Sequence, residues 1–319
     1  MNNEEKKSYI SRFGRKDNTY IKDLPRKLYK YRPFDQYSLD MLENKYLYLC
    51  PAKDLDDETE CNVSLNYNDL VNVDNGTLNI NIINAILEFM RSFTTKEIYE
   101  KVKSIIYSTV DSKGEINRNL LLNAYFDLQN YYSDEVIVPF INYFANIPDM
   151  VNNEKTRKII EESISTAYQA KDKLGICSLA ESDSNEYMWE NYANKNEGYC
   201  VEYDLKNYKY IKDIFPVIYE DERETNVLKQ LMLSIVGQYI LVLSSGEAQP
   251  DISQYFSLFT TKYKKWEYQN EWRIIGDAGE KIDAPEITKI ILGKNINTED
   301  KNKIKDFCIK NQIEIEIRK

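Results

Sequence analysis

Strand-like and helix-like segments follow one another irregularly along this 319-residue chain, and their order narrows the choice of folds. Apolar and β-branched runs predict two strands, then a helical block, three strands, a second helical block and three strands with one helix between the last two. A regular alternation of strand and helix is absent from this order. The pattern predicts an α+β protein with a mixed or antiparallel sheet that carries helices as insertions.

The same periodicity sets the expected domain bounds. Residues 1–79 are predicted to form the N-terminal part of the core, and 80–172 a helical insertion with apolar residues at helical spacing, such as Val102 and Ile106. Residues 173–319 would complete the core, with a second helical segment at about 223–264. We expect one composite domain, since 42% apolar content is enough to build a large core.

The chain contains no histidine, which restricts the chemistry available to it. The usual zinc ligand is absent, and so is the base that activates serine or cysteine nucleophiles. No glycine-rich phosphate loop or dinucleotide fingerprint is present either. Any reaction must therefore depend on carboxylates, arginine, lysine, hydroxyls or thiols.

Charge and cysteine content bear on location and partners. A net charge of -10 disfavours a surface for long stretches of nucleic acid, and five widely spaced cysteines indicate reduced thiols in a cytoplasmic protein. The most apolar window, QLMLSIVGQYILVL at 230–243, is too short to cross a bilayer comfortably and is interrupted by Gln238. We expect a buried helix there and no membrane partner.

The motif YQNEWRI is the first candidate site. Read as a strand, it places Gln269, Glu271 and Arg273 on one face and the core-like Trp272 on the other. The polar face could line a cleft, or it could be a solvated face with weak ion pairs. The three tryptophans, at 189, 266 and 272, are expected to form an apolar wall behind such a cleft.

Two other strand ends carry candidate ligand-binding residues. Arg32 in KYRPF could grip a diphosphate or carboxylate with its fork, or pair with the acidic loop at 54–60. Ser178 in GICSLAE ends an apolar strand. The helix text SNEYMWENYA contributes Tyr187 and Trp189, which fit either packing or ring stacking.

The acidic loop AKDLDDETEC, at 52–61, could bind a hard cation such as Mg²⁺. Aspartate-rich loops are more often turns, because the side chain accepts hydrogen bonds from the nearby backbone. Asp57 and Glu60 are the candidate ligands if a metal binds.

Three stretches together resemble a bacterial family known as domain of unknown function 2971: KYRPF, CSLAESDSNEYMWENYANKNEGYCVEYD and KYKKWEYQNEWRI. The resemblance spans nearly the whole chain, with the helical blocks as its variable part. The family's FNDPFE-like stretch is LDDETE here, which keeps Asp57 and Glu60 but loses the proline and both aromatic residues.

A more distant resemblance is to ADP-ribosyltransferases, whose Arg, Ser-Thr-Ser and Gln/Glu-x-Glu signature is similar to the order Arg32, Ser178 and Gln269-Asn270-Glu271. The middle element reads CSL here instead of STS. The resemblance implies an ADP-ribosyltransferase-like sheet and NAD as substrate, with no metal.

The roles that this resemblance implies divide into catalytic and cofactor-binding residues. Glu271 would stabilise the reacting ribose, and Gln269 would orient the acceptor or water. The remaining roles are a diphosphate clamp at Arg32, a hydrogen bond near the ribose from Ser178, and ring stacking by Tyr187 or Trp189.

Three classes of function remain open from the sequence. The favoured one is an NAD-dependent ADP-ribosyltransferase or NAD glycohydrolase, a toxin or anti-phage defence effector with a neutralising or activating protein partner. Its acceptor could be a protein, a nucleic acid, a small molecule or water. The alternatives are a metal-dependent nuclease or hydrolase using Asp57, Glu60 and Glu271, and a non-catalytic sensor or interaction module.

Overall fold

The computed structural model describes residues 1–11, 19–55, 57, 59–61, 63–64, 71–72, 77–79, 84, 87, 91, 95–113, 115–117, 119–120, 123, 153–155, 158, 162, 172–226 and 253–318. The chain divides into two compact units. The first comprises 1–62, 170–223 and 259–319, and the second comprises 63–169 and 224–258. Most of the helical block predicted at 80–172, and the apolar window at 230–243, lie outside the described residues.

The described helices and strands have the following bounds. The α-helices are Asn3–Ser11, Gln36–Glu43, Lys96–Ser108, Glu186–Tyr192, Ser253–Thr260 and Thr298–Asn311. The strands are β1 Lys27–Arg32, β2 Tyr46–Tyr48, β3 Cys50–Pro51, β4 Val71–Asn72, β5 Thr77–Asn79, β6 Glu115–Ile116, β7 Leu174–Ala180, β8 Tyr199–Asp204, β9 Ile214–Pro216, β10 Ile218–Glu220, β11 Thr261–Tyr263, β12 Glu271–Asp277, β13 Lys281–Asp283, β14 Glu286–Leu292 and β15 Glu314–Ile317.

An eight-stranded mixed sheet forms the centre of the first unit. Seven strands follow the order β15-β14-β8-β1-β7-β12-β9, and β3 pairs beside β7. β14 and β15 are parallel, and the other neighbours in this sheet are antiparallel. The predicted α+β class with a mixed sheet is therefore confirmed.

Side-chain caps fix several helix starts that frame this sheet. Asp35 accepts a hydrogen bond from the Ser38 amide at 2.7 Å, so the helix Gln36–Glu43 begins directly after β1 and its following turn. Asn185 caps the helix Glu186–Tyr192 in the same way. Because β7 ends five residues before Asn185, the connection is short, and the helix packs against the sheet close to the end of β7.

The sheet has an opening between β1 and β7. Among the described strands, β1 and β7 share the single register pair Tyr29–Ala180, whereas β3 pairs with β7 at Ile176 and Gly175. Between these pairings, residues 177–179 of β7 have no described strand beside them on the side of β1 and β3. The Lys30 ammonium instead donates to the Ser178 carbonyl at 2.5 Å, in the position that a strand amide would otherwise occupy.

The strand registers assign side chains to the two faces of the sheet. Ala180 is the partner of both Tyr29 and Glu271, so these three side chains share one face. Lys30 and Arg32 consequently belong to the opposite face. The helix Glu186–Tyr192 packs on the Glu271 face, where Trp189 joins a cluster with Ala180, and the helix Gln36–Glu43 packs on the other, where the Ser38 carbonyl accepts from the Tyr199 hydroxyl.

Two segments differ from the predicted elements. The strand predicted across 210–221 is interrupted at Val217 after Pro216, which has no amide to donate; β9 then pairs with β12, and β10 with β11. The second predicted helix, at 223–264, ends at Thr260, because residues 261–263 form the parallel strand β11. Thr261 and Tyr263 are residue types that favour strands, and pairing with β10 gives this segment strand geometry in place of helix.

The second unit contains a three-stranded antiparallel sheet, in the order β4-β5-β6. Its helix Lys96–Ser108 buries Tyr99, Val102 and Ile106 on one side, as the apolar spacing predicts. Within the described part of the chain, no helix has both the length and the apolar character needed to cross a membrane.

Candidate functional site

A cavity of about 740 Å³ lies at the opening between β1 and β7. Its walls come from three distant parts of the first unit: residues 29–60, 176–192 and 262–271. Four of the six predicted site residues line it: Arg32, Ser178, Gln269 and Glu271. A concave space of this size with a few converging polar groups is typical of small-molecule sites.

Glu271 is the first residue of β12, and each oxygen of its carboxylate accepts one hydrogen bond from the protein. Its Oε1 accepts from Arg273 Nε at 2.8 Å, and its Oε2 accepts from Lys262 Nζ at 3.0 Å. The Tyr219 hydroxyl accepts from the Glu271 amide at 2.9 Å, which fixes the backbone as well. The carboxylate is therefore rigidly placed, and because a carboxylate has about four lone-pair sites it can accept further donors from a ligand.

Glu60, from the acidic loop, completes the cluster around Glu271. The Glu60 carboxylate forms an ion pair with Arg273 and lies 3.2 Å from Lys262 Nζ. We call Glu60, Lys262, Glu271 and Arg273 the ion cluster; all four side chains are less than 10% exposed. Two positive and two negative charges make the cluster neutral.

Burial lowers the pKa of the Arg273 guanidinium, which is fully enclosed by the protein. The carboxylates of Glu60 and Glu271 both form ion pairs with it, and Glu271 also accepts a hydrogen bond from its Nε. Arg273 also donates to the Phe259 carbonyl. It acts as the anchor that orients both glutamates.

Gln269 lines the cavity from a 3-10 helix, Lys264–Gln269, and not from a strand as predicted. Asn270 follows in a left-handed conformation with φ 41°, which ends the helix and starts β12. The side-chain Oε1 of Gln269 accepts from Lys262 Nζ at 2.8 Å, and its side-chain Nε2 donates to the Tyr192 hydroxyl at 2.8 Å. The residue is thus held next to Glu271 despite the different local structure.

Arg32 and Ser178 reach the cavity from the two sides of the opening. Arg32 is partly buried, and its Nη2 lies 3.1 Å from the Met41 sulfur. Ser178 is the register partner of Arg273, so its side chain belongs to the Glu271 face. The cavity therefore connects the two faces of the sheet.

The two residues predicted to stack on the nicotinamide ring, Tyr187 and Trp189, lie outside the lining of the cavity. Trp189 is 0% exposed and packs edge-on against Tyr31 with ring centres 5.2 Å apart, while its indole donates to the Asp183 carbonyl at 2.6 Å. Tyr187 is 65% exposed and lies beside Tyr268. Neither residue lines the cavity, because helical spacing turns them away from it.

The predicted wall of three tryptophans is likewise reduced to one. Trp266 lines the cavity and donates to Asp57 Oδ2 at 2.9 Å. Trp272 lies on the opposite face of β12 from Glu271, with its ring centre 5.5 Å from that of Tyr9. The indoles therefore serve the core and the cavity separately.

The candidate metal ligands are already occupied by protein donors. Asp57 accepts from Trp266 and from Thr59, and these bonds lower the pKa of its carboxyl although burial opposes them. Lys262 Nζ lies between Glu60 and Glu271, where a bridging cation would have to sit. No group of three potential ligands suited to a metal ion occurs among the described residues; Asp56 and Glu58 lie outside them.

Lys262, Lys30 and Tyr192 are site residues that the sequence did not reveal. Lys262 falls where helix was predicted, and its role depends on the pairing of β11 with β10. Lys30 precedes Arg32 by two residues, so the strand alternation that places Arg32 places Lys30 on the same face. That alternation is the one local signal that could have found it.

Charged and polar side chains thus converge from distant segments on one concave space in an open mixed sheet, which makes this an α+β protein with a cavity of the ligand-binding type. Residues 188–274 match the model of a family described as "Protein of unknown function (DUF2971)". The matched stretch contains Lys262, Gln269, Glu271 and Arg273, and is shorter than the nearly chain-long resemblance expected from the sequence. No curated protein and no solved structure matches the chain.

Proposed function

We propose that the protein consumes NAD, as an ADP-ribosyltransferase or an NAD glycohydrolase, in the cavity between β1 and β7. The observation that carries the proposal is the shared cavity: Arg32, Ser178 and Glu271 are separated by more than 90 residues along the chain and line one space. Their order matches the ADP-ribosyltransferase pattern. The sheet itself is proposed to be of that type.

The chemistry suits a chain without histidine. Nicotinamide leaves as a neutral molecule when the bond between its ring nitrogen and the ribose C1′ breaks, so no general acid has to protonate it. The ribose meanwhile develops positive charge, as in glycoside cleavage, and a fixed carboxylate stabilises that charge. Water or another nucleophile then forms the new bond to C1′ and releases its proton.

Glu271 is suited to this role by its fixed position. The ion cluster holds both of its oxygens, so little reorganisation would accompany charge development at the ribose. Gln269 and Ser178 would bind the ribose hydroxyls or the acceptor, and Trp266 and Tyr192, which line the cavity, would replace Tyr187 and Trp189 as ring-packing groups.

The metal-dependent alternative gains no support from these contacts, since Lys262 and Arg273 together already neutralise Glu60 and Glu271. A toxin or defence role, and with it a neutralising or activating protein partner, belongs to the proposal through the resemblance alone. The acceptor is left to experiment.

The test is incubation with NAD labelled in its adenylate part, with nicotinamide release and label transfer followed separately. Release without transfer indicates a glycohydrolase, and release with transfer indicates a transferase. Glu271→Gln should lower turnover by about 10²-fold or more, the usual effect of losing one preorganised electrostatic group. The exposed Glu314→Gln serves as a control.

Glu271→Gln leaves the ion cluster with excess positive charge and could therefore unfold. The double variant Glu271→Gln/Lys262→Met keeps the Glu60–Arg273 pair and restores neutrality. Loss of turnover in a folded double variant supports the proposal. Full NAD consumption by either folded variant, or none by the wild-type protein, contradicts it.

A further inference from the structure

Lys30 is a charged side chain whose environment the proposed chemistry at Glu271 does not explain. It lines the cavity inside the opening of the sheet, and its ammonium donates to the Ser178 carbonyl at 2.5 Å. A neutral carbonyl satisfies one of its three donors and none of its charge. Among the described residues, no carboxylate lies within ion-pair distance of Lys30.

Arg32 has the same property and lies beside it. The two residues are two positions apart on β1, so they share a face at a separation of about 7 Å along the strand. Arg32 contacts the Met41 sulfur, and within the described part of the chain it has no carboxylate partner either. A cavity wall with two half-buried cations and no described carboxylate partner is unusual, because charges removed from water are normally paired.

Two buried cations at and behind the cavity wall show the contrast. Lys262 and Arg273 each face two carboxylates in the ion cluster. Lys30 has no carboxylate in contact among the described residues. Burial lowers the pKa of its amine and Arg32 adds to the effect, whereas Cys177 and the more distant Glu271 oppose it. An anion bound between Lys30 and Arg32 would offset this cost of burial.

We propose that the Lys30 ammonium, in the opening between β1 and β7, binds a phosphate or diphosphate group of the ligand together with Arg32. The Arg32 fork supplies directional donors and Lys30 a compact charge, a combination suited to phosphoryl oxygens. Because Glu271 belongs to the opposite face, a ligand held at both points passes through the sheet. With NAD as ligand, an identification that rests on the proposed function, the diphosphate lies in this opening.

The test measures binding by titration calorimetry with three probes: inorganic pyrophosphate, ADP-ribose and nicotinamide riboside, which has no phosphate. The wild-type protein is compared with Lys30→Met and Arg32→Gln. Lys53→Met is the control, because Lys53 is exposed and does not line the cavity. Melting midpoints establish that each variant is folded.

Pyrophosphate and ADP-ribose should each bind about tenfold or more weakly to Lys30→Met and to Arg32→Gln, the loss expected for one hydrogen-bonded charge. Nicotinamide riboside should bind all four proteins alike, and Lys53→Met should match the wild type. If the wild type does not bind pyrophosphate, or if folded Lys30→Met binds it with unchanged affinity, the proposed subsite is wrong.

These outcomes separate the subsite from the reaction. Pyrophosphate binding that depends on Lys30, in a protein that leaves NAD intact, retains the subsite and removes the proposed function. NAD turnover together with Lys30-independent binding of ADP-ribose retains the function and removes the subsite.

Discussion

Lys262 lies between Glu60 and Glu271, with its Nζ 3.2 Å from one carboxylate and 3.0 Å from the other. This one ammonium joins the acidic loop to the start of β12. Because all three side chains are less than 10% exposed, water cannot replace any of them at low cost.

Lys262→Met should lower the free energy of unfolding by about 3–5 kcal/mol, since it leaves two buried carboxylates with Arg273 alone. Glu271→Gln should also destabilise, and the double variant should lose less than the sum of the two. Urea denaturation measures all three. Lys303→Met, on an exposed helix pair, should cost less than about 1 kcal/mol. Strict additivity of the two cluster substitutions would contradict the observed contact.

Trp189→Ala should destabilise the protein by about 3–5 kcal/mol, because it removes the largest side chain of a closed apolar cluster. Tyr187→Ala, at an exposed position two residues away, should change stability by about 0.5 kcal/mol or less. Thermal or urea unfolding compares the two. Equal effects would show that the helix Glu186–Tyr192 faces the sheet differently.

Glu202 should contribute stability that depends on pH. Burial would raise the pKa of its carboxyl, but hydrogen bonds from Lys27, Thr288 and Tyr29 bring it below the usual 4.5. A folded-state pKa below the unfolded value contributes stability above about pH 4.5, which is lost as the pH falls through the folded pKa. Glu202→Gln should therefore cost about 1–3 kcal/mol at pH 7 and clearly less at pH 3. A difference in unfolding free energy between wild type and Glu202→Gln that grows as the pH falls would contradict this prediction.

Gly198→Ala should disturb β1 at the residue that enters the cavity. A Cβ at position 198 would lie 2.1 Å from the Arg32 carbonyl oxygen, so the backbone of β1 has to move. We expect a loss of about 1–3 kcal/mol, measured by urea denaturation. In Gly276→Ala the new methyl meets the end of the Leu49 side chain, which can rotate, and the loss should be smaller.

A chelator should leave NAD consumption unchanged. Lys262 already supplies the positive charge between Glu60 and Glu271, so activity in the presence of EDTA should match that of the untreated protein. Nicotinamide release is the measurement. Abolition by EDTA with recovery on adding Mg²⁺ would favour the metal-dependent alternative.

The order of strands and helices was predictable because each main element has its own local signal. Alternation in KYRPF and YQNEWRI identified β1 and β12. The pairing of β11 with β10 was not predictable, since the three residues of each strand are too few for a periodic signal.

The site was predictable to a smaller extent. Strand alternation indicated the shared face of Glu271 and Arg273, which the 2.8 Å contact shows. Gln269 was assigned to the same strand, but the left-handed Asn270 places it on a 3-10 helix. The ion cluster also needs Glu60 and Lys262. Their contact depends on how the acidic loop packs against β11, and the spacing of residues in the sequence does not predict it.

The pairing of Tyr29 with Ala180 also sets one end of the opening between β1 and β7. On either side of this pair the strands form two groups of four, β15, β14, β8 and β1 in one and β3, β7, β12 and β9 in the other. Ala180 packs with Tyr31 and Trp189, so the width of the opening at this end depends on the volume of these apolar side chains. We expect a larger side chain at position 180 to narrow this opening while leaving the cations Lys30 and Arg32 in place.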